Sequence, residues 1–129
     1  MELKDTQTCF ACGKNNPDGL KLPIEVDETG ARFTYKIPRK YEGWSGIAHG
    51  GIIATLLDEL MAWAVRPRGY RTVTAEMTVR FRKPVPVEKE ISGSGWIISE
   101  DGRLVFARSQ LVDTNGTILA EATGKLWKI

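Results

Sequence analysis

The chain has few of the residues that metal and nucleophile chemistry usually draws on. Its 129 residues include two cysteines and one histidine. Two cysteines cannot make a disulfide framework, and a structural zinc site takes four ligands. One histidine leaves little for serine nucleophiles, and no Gly-x-Ser-x-Gly elbow occurs. The glycine patterns of phosphate loops and dinucleotide folds are missing as well. No apolar run approaches the ~20 residues that span a bilayer, and no secretory leader is visible, so the expectation is a cytoplasmic protein without a membrane partner. Strong charge of either sign is also absent. A net charge of +2 gives no case for nucleic acid. The composition, 42% hydrophobic and 26% charged, excludes a disordered chain, and with no linker or repeat the length suits one domain over residues 1–129.

What the chain does have is one long apolar stretch, His49-Gly50-Gly51 followed by Ile52 to Val65. Placed at ~100° per residue, Ile52, Ile53, Leu56, Leu57, Leu60, Met61, Trp63 and Ala64 cover well over half of a helix wheel. Such a helix is enclosed on most sides. Gly51, Thr55, Asp58, Glu59, Ala62 and Arg66 form the remaining small polar wedge, so Asp58 and Glu59 border a crevice. Pro67 and Gly69 end the helix.

First-turn amides lack helical partners and favour a negative charge or a polarised carbonyl oxygen. Gly50 and Gly51 therefore suit an oxyanion site, or equally a close crossing that needs small residues. Asp58 lies eight residues beyond Gly50, roughly 12 Å along the axis at ~1.5 Å per residue. One helix cannot bring both groups to one carbonyl, whereas two antiparallel copies can. Glu59 points ~100° away from Asp58, and Arg66 is its expected partner.

The rest of the chain reads as strands. Leu20–Val26 and Ala31–Ile37 make a hairpin, followed by a loop rich in glycine and aromatics (Tyr41, Gly43, Trp44, Gly46) that either lines a pocket or caps the core. In Arg71–Lys83, residues Val73, Ala75, Met77, Val79 and Phe81 alternate with Thr72, Thr74, Glu76, Thr78, Arg80 and Arg82. On that alternation Thr74 faces solvent unless a partner covers it. Glu90–Ser99, Leu104–Val112 and Thr117–Trp127 follow, with Gly93 and Gly95 suggesting a bulge or bend. Strands of this length, ~33–43 Å, exceed the ~25 Å helix and can wrap it.

At the N-terminal side, residues 1–18 carry the turn-rich Cys9-Phe10-Ala11-Cys12-Gly13. We read it as a turn with two reduced thiols and assign no metal. A complete zinc site would need two subunits or acidic ligands.

One apolar helix in a long antiparallel sheet, α+β in class, resembles the hotdog fold. His49-Gly50-Gly51 with Asp58 nine positions after the histidine resembles the PaaI-type acyl-CoA thioesterases. The segments Cys9 to Leu20 and Thr74-Ala75-Glu76-Met77 to Pro84 are similar to the same superfamily, over roughly residues 9–127. The resemblance implies a homodimer or dimer of dimers, no cofactor, and hydrolysis of an acyl-CoA. In it Asp58 acts as nucleophile or general base, and the Gly50 amide of the partner polarises the carbonyl. His49 holds the carbonyl or orders the loop, and Thr74 places the water. Beside these, Gly51 admits the substrate, and Arg80, Arg82 and Lys83 are candidates for the CoA phosphates. One departure is Gly43, where some members carry an Asn six residues before the histidine. A non-catalytic acyl-CoA-binding module is the rival reading, and a hydratase a weaker third, because fold alone does not fix chemistry.

Overall fold

The computed structural model describes residues 1–129. Helix α1 covers Gly50–Val65. Six strands surround it: β1 Glu25–Asp27, β2 Gly30–Lys36, β3 Thr72–Phe81, β4 Glu90–Asp101, β5 Leu104–Val112 and β6 Ile118–Lys128. They form one antiparallel sheet in the order β1-β2-β4-β5-β6-β3. This is the hotdog arrangement, with the helix packed along the inner face of the sheet and touching β2 through β6.

The helix is buried as its wheel requires. Ile53, Leu56, Leu57, Leu60, Met61, Ala64 and Val65 are enclosed, each large side chain contributing ~1.5–3 kcal/mol. The sheet lets the helix down close to its backbone at Gly93 and Gly95. A Cβ on Gly95 would stand 2.5 Å from the Leu60 carbonyl oxygen, and one on Gly93 would stand 2.8 Å from Leu60 Cδ1. These glycines serve close approach. The bulge in β4 lies further on, between Ile97 and Ser99. The Ser109 hydroxyl donates to the Leu57 carbonyl at 2.8 Å and ties the helix centre to β5. The helix ends where Arg66–Arg68 tighten into a 3-10 turn and Gly69 adopts φ 85°.

Two strands differ from the sequence reading. The first hairpin strand is only Glu25–Asp27, because Lys21 takes a positive φ. Leu20 and Leu22 instead donate their amides to Phe10 and Ala11, which anchors the N-terminal segment to the fold. In β3 the register against β6 shifts between Thr74 and Glu76, leaving Ala75 as the extra residue of a bulge. Thr74 pairs with buried Leu126 and turns inward, whereas Glu76 pairs with exposed Lys125 and turns outward. A plain alternation would give both residues the same face. The bulge also sends Val73 outward, where it is exposed.

Candidate active site

His49 caps the helix. Its Nδ1 accepts the Gly51 N–H at 2.9 Å, and its carbonyl accepts the amides of Ile52 and Ile53. With Nδ1 engaged as an acceptor, Nε2 is the ring nitrogen left to donate. Of the first-turn amides, the Gly50 N–H alone makes no hydrogen bond within the chain. Gly51 thus offers open backbone but no free donor. The Gly43 backbone lies against His49, a Cβ there falling 3.4 Å from His49 Cα. The loop before the cap is held by Glu42, whose carboxylate accepts the Gly46 amide at 2.8 Å and pairs with Arg39. Trp44 does not cap the core; it stands 85% exposed.

Two turns down the helix, Asp58 Oδ1 accepts a hydrogen bond from the Thr74 hydroxyl at 2.5 Å. The bulge makes this contact possible within one chain. The pair sits on the wall of a cavity of about 620 Å³ that also exposes Cys9, Cys12, Glu59, Trp63, Arg66 and Arg71. Neither His49 nor Gly50 lines it. The glycine end of the helix lies instead beside Phe81, whose ring is 3.7 Å from where a Gly50 Cβ would be. Gly50 and Asp58 therefore stand at opposite ends of β3.

The basic residues of β3 lie away from the acid. Arg80 shares the outward face with Thr78 and Glu76, and Arg82 pairs with Glu121 at 2.9 Å. Lys83 follows the strand and donates its amide to Leu119. Arg66, from the same polar wedge as Asp58, reaches the Asp58 cavity, and so do Lys4 and Arg71, whose placement the sequence pattern gave no sign of.

Glu59 differs from its expected pairing. Arg66 stacks over the Trp63 ring at 3.8 Å and pairs with Asp5 at 3.6 Å. The Trp63 indole N–H donates to Glu59 Oε2 at 3.2 Å, and the Cys9 thiol approaches Oε1 at 3.9 Å. Burial pushes the Glu59 carboxyl above its ordinary range, opposed by hydrogen bonds from Cys12 and Trp63. Burial, with the Glu59 carboxylate beside it, pushes the Cys12 thiol up to about 12.

Comparison with known proteins agrees with this architecture. A thioesterase superfamily model matches residues 45–120, which include the capped helix, the bulged strand and most of the sheet. A Saccharolobus solfataricus protein provisionally named an esterase is 31% identical over 108 residues, 81% of this chain and 71% of its own. Mouse acyl-coenzyme A thioesterase 13 is 29% identical over 89 residues, 67% of this chain and 64% of its own, so the chain spans just under two thirds of that relative. The E. coli PaaI protein superposes with a TM-score of 0.78 at 20% identity, covering 84% of this chain and 83% of PaaI. With a family match over more than half its length and a relative above 30% identity, the chain belongs to the thioesterase superfamily.

Proposed function

We propose that the protein hydrolyses acyl-CoA thioesters at a site shared by two copies of the chain. The observation that carries this reading is an anchored carboxylate, Asp58, and an unpartnered amide, Gly50 N–H, on one helix but at opposite ends of β3. β3 is a ten-residue edge strand with its outer side bare, and it exposes Val73 and Phe81. A long bare edge invites pairing. Antiparallel pairing with its twin, centred on Thr78 and skipping the bulged Ala75, sets Phe81 of one copy opposite Thr74 of the other. Gly50 of the first copy then faces Asp58 of the second. Arg80, Arg82 and Lys83 lie at the Gly50 end of β3, the two arginines on its outer face, where a CoA phosphate that reaches past the sheet edge would meet them. Residues 1–18 close the cavity on the Asp58 side, and the whole chain acts as one hotdog unit.

In this geometry the Gly50 amide, helped by the Nε2–H of His49, accepts the charge that develops on the thioester oxygen. Asp58, oriented by Thr74, either takes a proton from water as it attacks or attacks directly to form an anhydride that water opens. Both routes break the C–S bond, add one water, and give carboxylic acid and CoA thiol. The family membership and the name of the mouse acyl-coenzyme A thioesterase 13 support this substrate class.

Two variants test it on a panel of acetyl, palmitoyl and aromatic CoA esters with free-thiol detection. Gly50→Pro removes the amide proton and adds a ring whose Cβ would meet Phe81 at an ordinary 3.7 Å. Proline suits the first helical position, and His49 already has the extended conformation (φ −61°, ψ 138°) that a following proline requires. Loss of one oxyanion donor costs ~10²–10³ in kcat. Asp58→Asn keeps the acceptor for Thr74 and loses ~10²–10⁴. Full hydrolysis by either variant refutes the assignment. Ester binding without hydrolysis by the unaltered chain favours the non-catalytic acyl-CoA module.

A further inference from the structure

The fold places three soft or anionic ligand atoms together that lie far apart in sequence. Cys9 Sγ, Cys12 Sγ and one Glu59 carboxylate oxygen all fall within 4.8 Å of one another. A tetrahedral zinc with sulfur at ~2.3 Å and oxygen at ~2.0–2.2 Å separates its ligand atoms by roughly 3.5–3.8 Å. Cys9 Sγ and Glu59 Oε1 are already 3.9 Å apart.

The surroundings are those of a metal-ligating turn. Cys9 Sγ accepts the amides of Ala11 at 3.4 Å and Cys12 at 3.5 Å. The turn closes with the Gly13 amide on the Cys9 carbonyl at 2.9 Å, and a Cβ on Gly13 would lie 2.5 Å from the Cys9 nitrogen. Only glycine fits that closure. On the other side the Trp63 indole N–H holds Glu59 Oε2, which leaves Oε1 turned toward the thiols. A second partner that fixes a ligand's orientation is the usual companion of a metal-binding carboxylate. Arg66, stacked on Trp63, balances the negative charge that two thiolates and a carboxylate place around a divalent ion. Asp5 takes the outer side of that arginine.

We infer that Cys9, Cys12 and Glu59 bind one divalent ion of the zinc class, clamping the N-terminal turn to helix α1 beside Asp58. Binding releases two thiol protons to solvent and leaves the fourth position to water. Thiolate sulfur selects zinc over magnesium or calcium. The sequence left this turn as two reduced thiols because the third ligand comes from 47 residues beyond Cys12 and only the fold supplies it. The clamp fixes one wall of the Asp58 cavity, which Cys9, Cys12 and Glu59 all line. It stands or falls separately from the hydrolytic reading, since its readouts are metal content and spectra.

The test uses untagged full-length protein, reduced, stripped of metal, and titrated with Zn²⁺ or Co²⁺. The expected result is one ion per chain by elemental analysis and thiolate-to-cobalt charge-transfer bands in the Co²⁺ form. Cys12→Ser loses at least half of the intensity of those bands, and Glu59→Gln weakens affinity at least ~10-fold while circular dichroism stays native. The Co²⁺ titration of the unaltered chain needs no variant to fold. No retained ion, no thiolate bands, or a cysteine disulfide that persists in reductant overturns the site. Unchanged affinity in Glu59→Gln removes the carboxylate from it.

Discussion

Replacing Thr74 with valine isolates the contact that the β3 bulge creates. Valine keeps the volume and the β-branched shape of threonine and deletes only the hydroxyl. In the parent that hydroxyl gives Asp58 its side-chain hydrogen bond, across from helix to strand. A hydrogen bond to a charged group contributes ~1.5–3 kcal/mol, and solvent access at Thr74 puts this one at the lower end. The carboxylate then loses its preferred orientation. At ~1.4 kcal/mol per decade the expected loss in kcat is about 10-fold, with KM nearly unchanged, because the acid meets the substrate only at the reacting carbon. Global stability falls little, about 1 kcal/mol or less, or a few degrees in Tm. The assay is free-thiol release at saturating and limiting acyl-CoA, together with a thermal melt. Thr74→Ser restores the hydroxyl and most of the rate. A Thr74→Val enzyme with unaltered kcat, or a Thr74→Ser enzyme as slow as the valine variant, refutes the positioning role.

Two further substitutions test the scaffold. Gly95→Ala forces a Cβ to 2.5 Å from the Leu60 carbonyl oxygen, so urea melts should show a loss of ~1–3 kcal/mol, and an unchanged midpoint contradicts the close helix-to-sheet approach. Glu100 is held below the ordinary carboxylate range by hydrogen bonds from Lys128 and then Arg68. A depressed folded value means that its stabilisation is present above the unfolded value and is lost as pH falls through the folded one. Tm curves of the parent and Glu100→Gln should therefore differ at neutral pH and converge in acid; divergence toward acid reverses the sign and rejects the pairing.

The helix was legible because its signal is dense. The apolar wheel, the glycine mouth and the Pro67 to Gly69 stop bound it within a residue of Gly50–Val65, and Leu104–Val112 matches its strand end for end. The inward turn of Thr74 was not legible. Ala75 is small and apolar, so it continues the Val73 to Phe81 alternation whether or not the strand slips by one residue there. Leu20 and Leu22 have strand-like character, yet their amides serve the N-terminal turn rather than the sheet. The partner of Glu59 was hidden for a similar reason. Helical spacing points to Arg66, but the indole of Trp63, one turn on, intercepts the carboxylate and the arginine stacks on that ring. The histidine cap is local to the His-Gly-Gly motif, and it reassigns the Gly51 amide from substrate to His49.

The most direct measurement of the shared site is subunit complementation. Asp58→Asn and Gly50→Pro chains are purified separately, unfolded and refolded together in equal amounts, and assayed for acyl-CoA hydrolysis. In a mixed dimer one site joins the intact Asp58 to the intact Gly50, while the other carries both lesions. Random pairing about a twofold axis then predicts recovery of about a quarter of the parent activity from two nearly inactive proteins. No recovery, with mixed dimers demonstrably formed, places acid and amide in the same chain's site and contradicts the account.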